Sequence, residues 1–309
     1  MAKAITVYDH IAQNNRKTWL LIAMFPVCLV VTWFLIWWVA VLCLAEDTSA
    51  SEAFDLTKSI SLMYLLPISI MALIWMVVSY CFGEEMMMEF ACASPLEKKE
   101  NRDVYNVVEN TAIMAGLPTP KIYIIDDDSL NAFAAGRNPK NAAIALTTGI
   151  IDKLTKTELQ GVVAHEMAHI GNRDIRLNML IIIGLGIFES LAWACFRCSG
   201  GGRNNKAGGL FIMLGLVFFI FSCVFAPLIH FAISRKREFA ADATGAKILH
   251  NPKALADALE KIAQDSCVEV LDKQKNMALA CIASPFADID QLTSTHPPIR
   301  ERIRRLRSM

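Results

Sequence analysis

The chain has 309 residues, 54% of them hydrophobic, with 30 basic side chains against 30 acidic ones, so its formal net charge is zero. A balanced charge argues against a nucleic-acid partner, and a mean hydropathy of +0.39 takes the chain out of the ordinary soluble class. The apolar residues gather in four long runs, each sufficient to cross a bilayer.

After a short polar start, residues 18–45 form the first run. It exceeds the roughly 7–15 apolar residues at the centre of a cleavable signal peptide, so it reads as a span. Residues 60–82 form the second, with Pro67 inside it, which membrane helices tolerate. The acidic loop between them makes the pair a hairpin. Cysteines inside the runs, such as Cys28, Cys43, Cys81 and Cys223, read as small hydrophobes.

Residues 84–102 turn charged and loop-like after Met86, Met87 and Met88, and a domain outside the membrane is expected to begin here. Val104, Val107, Val108, Ala112 and Met114 share a helical stripe over residues 100–115, which Gly116-Leu117-Pro118 closes. Residues 121–126 read as a buried strand. Residues 131–136 and 142–147 read as two more, joined by the turn-rich Arg137-Asn138-Pro139-Lys140-Asn141. Such a sheet has an edge to which an extended peptide can add as a further strand. Asn131, Ala132, Phe133 and Ala134 are the residues expected to form it.

The next segment carries the chemistry. Thr155-Lys156-Thr157-Glu158 has the form of a capping box, and apolar residues follow at helical spacing until Gly171 supplies a stop. On that helix, His165-Glu166-Met167-Ala168-His169 puts two imidazoles on one face, one turn apart, with a glutamate between them. A catalytic zinc site uses three protein ligands and leaves a fourth position open. His165 and His169 would supply two of them, and Glu166 is placed to act as general base. A zinc-binding scaffold without catalysis is the rival reading, but such a site needs no base.

Residues 177–196 form the third run, with Glu189 inside it. Seven residues separate His169 from this run, so a metal there is expected near the bilayer surface. Cys195 and Cys198 lack a second pair to complete four ligands and read as packing. A Gly-rich loop leads to the fourth run, residues 210–233. The third ligand lies among Glu189, His230, Glu238, His250 and His296. Glu238 is best placed, because it directly follows the fourth run, which returns the chain to the surface that His169 left. Asp242, one turn further, could accept a hydrogen bond from the outer nitrogen of a ligand histidine.

Four stretches together resemble the HtpX family of bacterial membrane zinc endopeptidases, relatives of the CAAX prenyl endopeptidase. They are residues 165–169, residues 238–242, residues 131–139 and Ser294-Thr295-His296-Pro297-Pro298. The resemblance implies one Zn²⁺ per chain on His165, His169 and Glu238, with Glu166 as base. It also implies protein substrates, among them damaged or misfolded membrane proteins, at the bacterial inner membrane. His296 and Arg300 are implied as groups that steady negative charge on the attacked carbonyl, whereas Arg302 and the arginines after it read as a basic face toward anionic lipid heads.

The expected fold is a multi-pass α-helical membrane protein with an α+β zinc metalloprotease domain, divided at residues 1–83, 84–176, 177–233 and 234–309. Lysines and arginines near the span ends, Arg173, Arg176 and Arg235-Lys236-Arg237 among them, outnumber those on the opposite side, which puts the active site in the cytoplasm. A membrane protease with a narrow, dedicated peptide substrate is the alternative function.

Overall fold

A computed structural model describes residues 49–199, 235–263 and 297–309 continuously, together with single positions or short groups within residues 12–41 and 208–222. The described positions among residues 18–45 are helical, as are residues 211–219. The remainder of the first and fourth expected spans, with His230 and His296, lies outside the described residues. The chain divides into two compact units. One comprises Met1–Arg16, Cys81–Ile183 and His230–Met309; the other comprises Lys17–Tyr80 and Gly184–Ile229.

Helix α1, Ala50–Phe90, runs for 41 residues and passes through Pro67 without a break. At about 1.5 Å per residue that is roughly twice what a bilayer core requires, so the helix outlasts the apolar run at residues 60–82. Its end corrects the expected loop at residues 84–102: Met87, Met88 and Ala91 are buried in the first unit. Methionine and glutamate are good helix formers, and local propensity outweighed the charge that suggested a loop.

Strand β1, Ser94–Pro95, is too short to announce itself in a sequence. Helix α2, Arg102–Ala115, is capped by Asn101, whose side chain accepts from the Val104 N–H, and it ends at Gly116 in the left-handed region with φ 67°. The Leu117 N–H then reaches back to the Ala112 carbonyl at 3.0 Å, completing a Schellman closure.

Strands β2 (Lys121–Ile125), β3 (Ala132–Asn138) and β4 (Asn141–Thr147) join β1 in one sheet of order β1-β2-β4-β3. β2 and β4 run parallel, whereas β3 and β4 form an antiparallel hairpin that starts with Ala132 opposite Leu146. The expected five-residue connector shrinks to Pro139 and Lys140. The Asn138 side-chain oxygen closes that turn by accepting from the N–H groups of Lys140 and Asn141, each at 3.0 Å. Gly136, at φ 144°, marks the bulge, where a Cβ would meet the Asn141 carbonyl oxygen at 2.3 Å.

Thr147 caps the short helix α3, Thr148–Lys153. Helix α4, Lys156–Gly171, follows with both halves of the expected capping box present. Its reversal into α5, Asp174–Cys198, takes place at Arg173, with φ 59°, and not at a glycine. Helices α6 (Arg235–Leu249), α7 (Pro252–Ile262) and α8 (Ile299–Arg307) complete the described elements.

In the first unit α4 is central, packed against α2, α6, α7 and β3. Its Val162, Val163 and Met167 share one core with Val107, Ile144, Leu255 and Leu306. A side chain buried here is stabilised by about 1.5–3 kcal/mol over one left in water. In the second unit, Met63, Ile70, Leu73, Ile74 and Val77 of α1 stay at least half exposed. Among the described residues, α5 is the one helix long and apolar enough to cross a membrane, against four expected from the sequence.

Candidate metal centre

Sequence spacing puts His165, Glu166 and His169 on α4, and tertiary packing brings Glu238 of α6 to them. Gly245 makes the approach possible. A Cβ there would sit 3.0 Å from the His165 backbone nitrogen, so a larger residue would hold α6 away from α4.

The Nε2 atoms of His165 and His169 lie 3.2 Å apart. One Glu238 oxygen is 3.6 Å from His165 Nε2, and the other is 3.5 Å from His169 Nε2. Zinc ligands at 2.0–2.1 Å in a tetrahedral shell are ~3.3 Å from one another. The three donors therefore fit zinc in both type and spacing. Among the described residues they are the one group of His, Cys, Asp or Glu side chains that could hold a metal.

Behind each histidine stands a carboxylate, and behind each carboxylate an arginine. His165 Nδ1 is 3.0 Å from Asp242 Oδ1. Arg302 grips Asp242 with both arms, donating from Nη2 to Oδ1 at 2.7 Å and from Nε to Oδ2 at 2.9 Å. On the other side, His169 Nδ1 is 3.0 Å from Asp174 Oδ2, and Arg237 Nε is 3.2 Å from Asp174 Oδ1. These outer bonds fix the ring orientation and leave both Nε2 atoms turned toward the common point.

The electrostatics favour a cation. Burial opposes charge on His165, but hydrogen bonds to Asp242 and Glu238 outweigh it and push the ring up to about 9. Burial would likewise raise Asp242, yet the Arg302 guanidinium holds it down, to about 2. Glu166 is moved up chiefly by burial, which makes its carboxylate a stronger base.

Asp242 stands where the sequence suggested. Arg302 corrects the reading of the terminal arginines as a lipid-facing stripe, because it is fully buried beside Asp242, and its Nη1 lies 3.7 Å from Glu238. Arg300, the arginine implied by resemblance, is exposed. It sits two residues and about 200° away around α8. A signal was available: Ile299, Arg302, Ile303 and Leu306 repeat at i, i+3, i+4, i+7, so Arg302 lies on the apolar stripe. Arg237 was counted only among the positive charges near the span ends, and Asp174 carried no mark at all. β3 is an edge of the sheet, and Asn131, Ala132, Phe133 and Ala134 are all buried.

The sequence profile of Peptidase family M48 matches residues 98–309, which contain every residue of this centre. The chain belongs to peptidase family M48. Among its M48 relatives it is 37% identical over 307 residues to the Protease HtpX homolog of Bacteroides fragilis strain YCH46, covering 94% of this chain and 95% of that one. The Protease HtpX homolog of Caldanaerobacter subterraneus subsp. tengcongensis is 34% identical, covering 98% of each chain. That of Syntrophobacter fumaroxidans reaches 42% over 252 residues, covering 78% of this chain and 88% of the relative. The crystal structure of S. mikatae Ste24p is similar with a TM-score of 0.47 and 21% identity over 82% of this chain, which spans 60% of Ste24p. The protein is an HtpX-type M48 metalloendopeptidase.

Proposed function

We propose that the protein is an integral membrane zinc endopeptidase with four spans and one zinc per chain, cutting damaged or misfolded membrane proteins at the cytoplasmic face of a bacterial inner membrane. The observation that carries the reading is Glu166, buried between two histidines whose Nε2 atoms lie 3.2 Å apart and within 3.6 Å of Glu238.

His165, His169 and Glu238 would hold the ion. A bound zinc would supply Lewis acidity, polarising the peptide carbonyl and acidifying the attacking water. Glu166 takes the proton of that water on its carboxylate and delivers it to the leaving amine nitrogen, so the base of the first step is the acid of the second. Asp242 would hold the His165 ring in place throughout. An extended substrate would pair with the β3 edge along Ala132, Phe133 and Ala134, with Asn131 just before them, and would have to displace the atoms that bury these residues. The α5 helix, which starts five residues after His169, supports a site close to the bilayer.

The test is cleavage of an unfolded protein by detergent-purified wild type and Glu166→Gln, with bound zinc measured in both. The expected result is about one zinc in each, as one three-ligand site predicts, and cutting by wild type alone. A Glu166→Gln variant that cuts at the wild-type rate would overturn the mechanism.

A further inference from the structure

The two ligand histidines are backed by similar pairs drawn from different parts of the fold. Asp242 and Arg302, behind His165, come from α6 and α8. Behind His169 stands Asp174, the first residue of α5, with no exposed surface. Its partner Arg237 immediately precedes the ligand Glu238. Arg173, just before Asp174, adopts φ 59°, a region that side chains with a Cβ rarely enter. The reversal there starts α5 close enough for Asp174 to face a histidine only five residues back.

We propose that Asp174, held by Arg237, is a positioning residue for the metal centre, and that the foot of the membrane-type helix α5 thereby sets the affinity of the site. An Nδ1–H donated to this carboxylate fixes the His169 tautomer with the Nε2 lone pair toward the ion, and the negative charge strengthens that nitrogen as a ligand. The arginine, its Nε 3.2 Å from Oδ1, keeps the carboxylate aimed. The inference rests on the zinc reading above. A purely structural ion pair would occupy the same place but act on folding, not on metal affinity.

Full-length protein in detergent distinguishes the two. Zinc affinity is measured by competition with a chromogenic chelator, and thermal melting is followed on the metal-free protein, for wild type, Asp174→Ala, Asp174→Asn, Arg237→Gln and the Asp174→Ala/Arg237→Gln double variant. Asp174→Ala should weaken zinc binding by about 10–100-fold. Asp174→Asn, whose amide oxygen still accepts the hydrogen bond, should lose less. Arg237→Gln should weaken zinc binding too, yet add nothing to Asp174→Ala, because it acts through Asp174.

Wild-type zinc affinity in Asp174→Ala, with only the melting temperature lowered, would overturn the proposal. Should Asp174→Ala fail to fold, wild-type affinity in both Asp174→Asn and Arg237→Gln would do the same. Wild type that takes up no zinc would instead remove the zinc reading itself.

Discussion

In the first unit Val108, Val163 and Leu259 are fully buried, and so are the ions Asp174 and Arg302; in the second, Met63, Leu73 and Trp193 leave more than half of their surface uncovered. The same chain thus hides charge in one place and displays apolar surface in the other. Water explains the first unit. An ion leaves water at a cost of several kcal/mol unless a partner of opposite charge goes with it, and Asp242–Arg302 and Asp174–Arg237 go in pairs. The second unit shows the opposite pattern, the one expected of the membrane spans proposed above, because exposed apolar side chains carry no penalty in a lipid solvent.

The sharpest way to break this comparison is to unpair a buried ion. Arg302→Met leaves Asp242 buried without its bidentate partner, and breaking such a pair costs roughly 3–5 kcal/mol. Thermal melting in detergent should show that loss, while Arg300→Met, exposed and two residues away, should stay within about 0.5 kcal/mol of wild type. Equal effects of the two would mean that the buried pairing is not what holds α8 in place.

A charge introduced into the other unit tests the lipid side. Ile74, 58% exposed on α1, should resist replacement by aspartate, which costs roughly 2.5–3.5 kcal/mol at the centre of a membrane helix. The share of protein recovered with membranes should fall, and unchanged recovery would argue that this face does not meet lipid.

The smallest effect is expected at Glu158, in the capping box of α4. Burial works against its charge, but hydrogen bonds from Lys261 at 2.7 Å and from the Thr155 N–H hold its carboxyl below the usual range. A folded value below the unfolded one means stability present above about pH 4.3 and lost as pH falls through the folded value. Wild type should therefore melt higher than Glu158→Gln at neutral pH, by a margin worth about 1 kcal/mol. The two should converge in acid, and a margin that persists at low pH would count against the ionised carboxylate.

Much of the centre was legible because it is local. The capping box, the histidines four apart and the glutamate between them all lie within fifteen consecutive residues, 155–169. Glu238 and Asp242 could be reached because a pair of apolar runs brings the chain back to its starting surface. Arg302 was misread because its neighbours are arginines, although its helical phase pointed inward. Asp174 was missed because a polar residue between a helix and an apolar run has an adequate explanation in solvent.

The sequence by itself determined helices α2 and α4, the capping box of α4, the apolar runs and the face on which His165 and His169 stand, because each depends on neighbours within a turn or two and on a period of 3.6. Only the tertiary structure decided that β4 pairs with β2 in parallel, that Gly245 admits α6 to α4, and that Asp174, Arg237 and Arg302 are buried behind the two histidines. Those choices depend on contacts between segments far apart in the chain. There the cost of burying a charge is met by a partner that no local pattern announces.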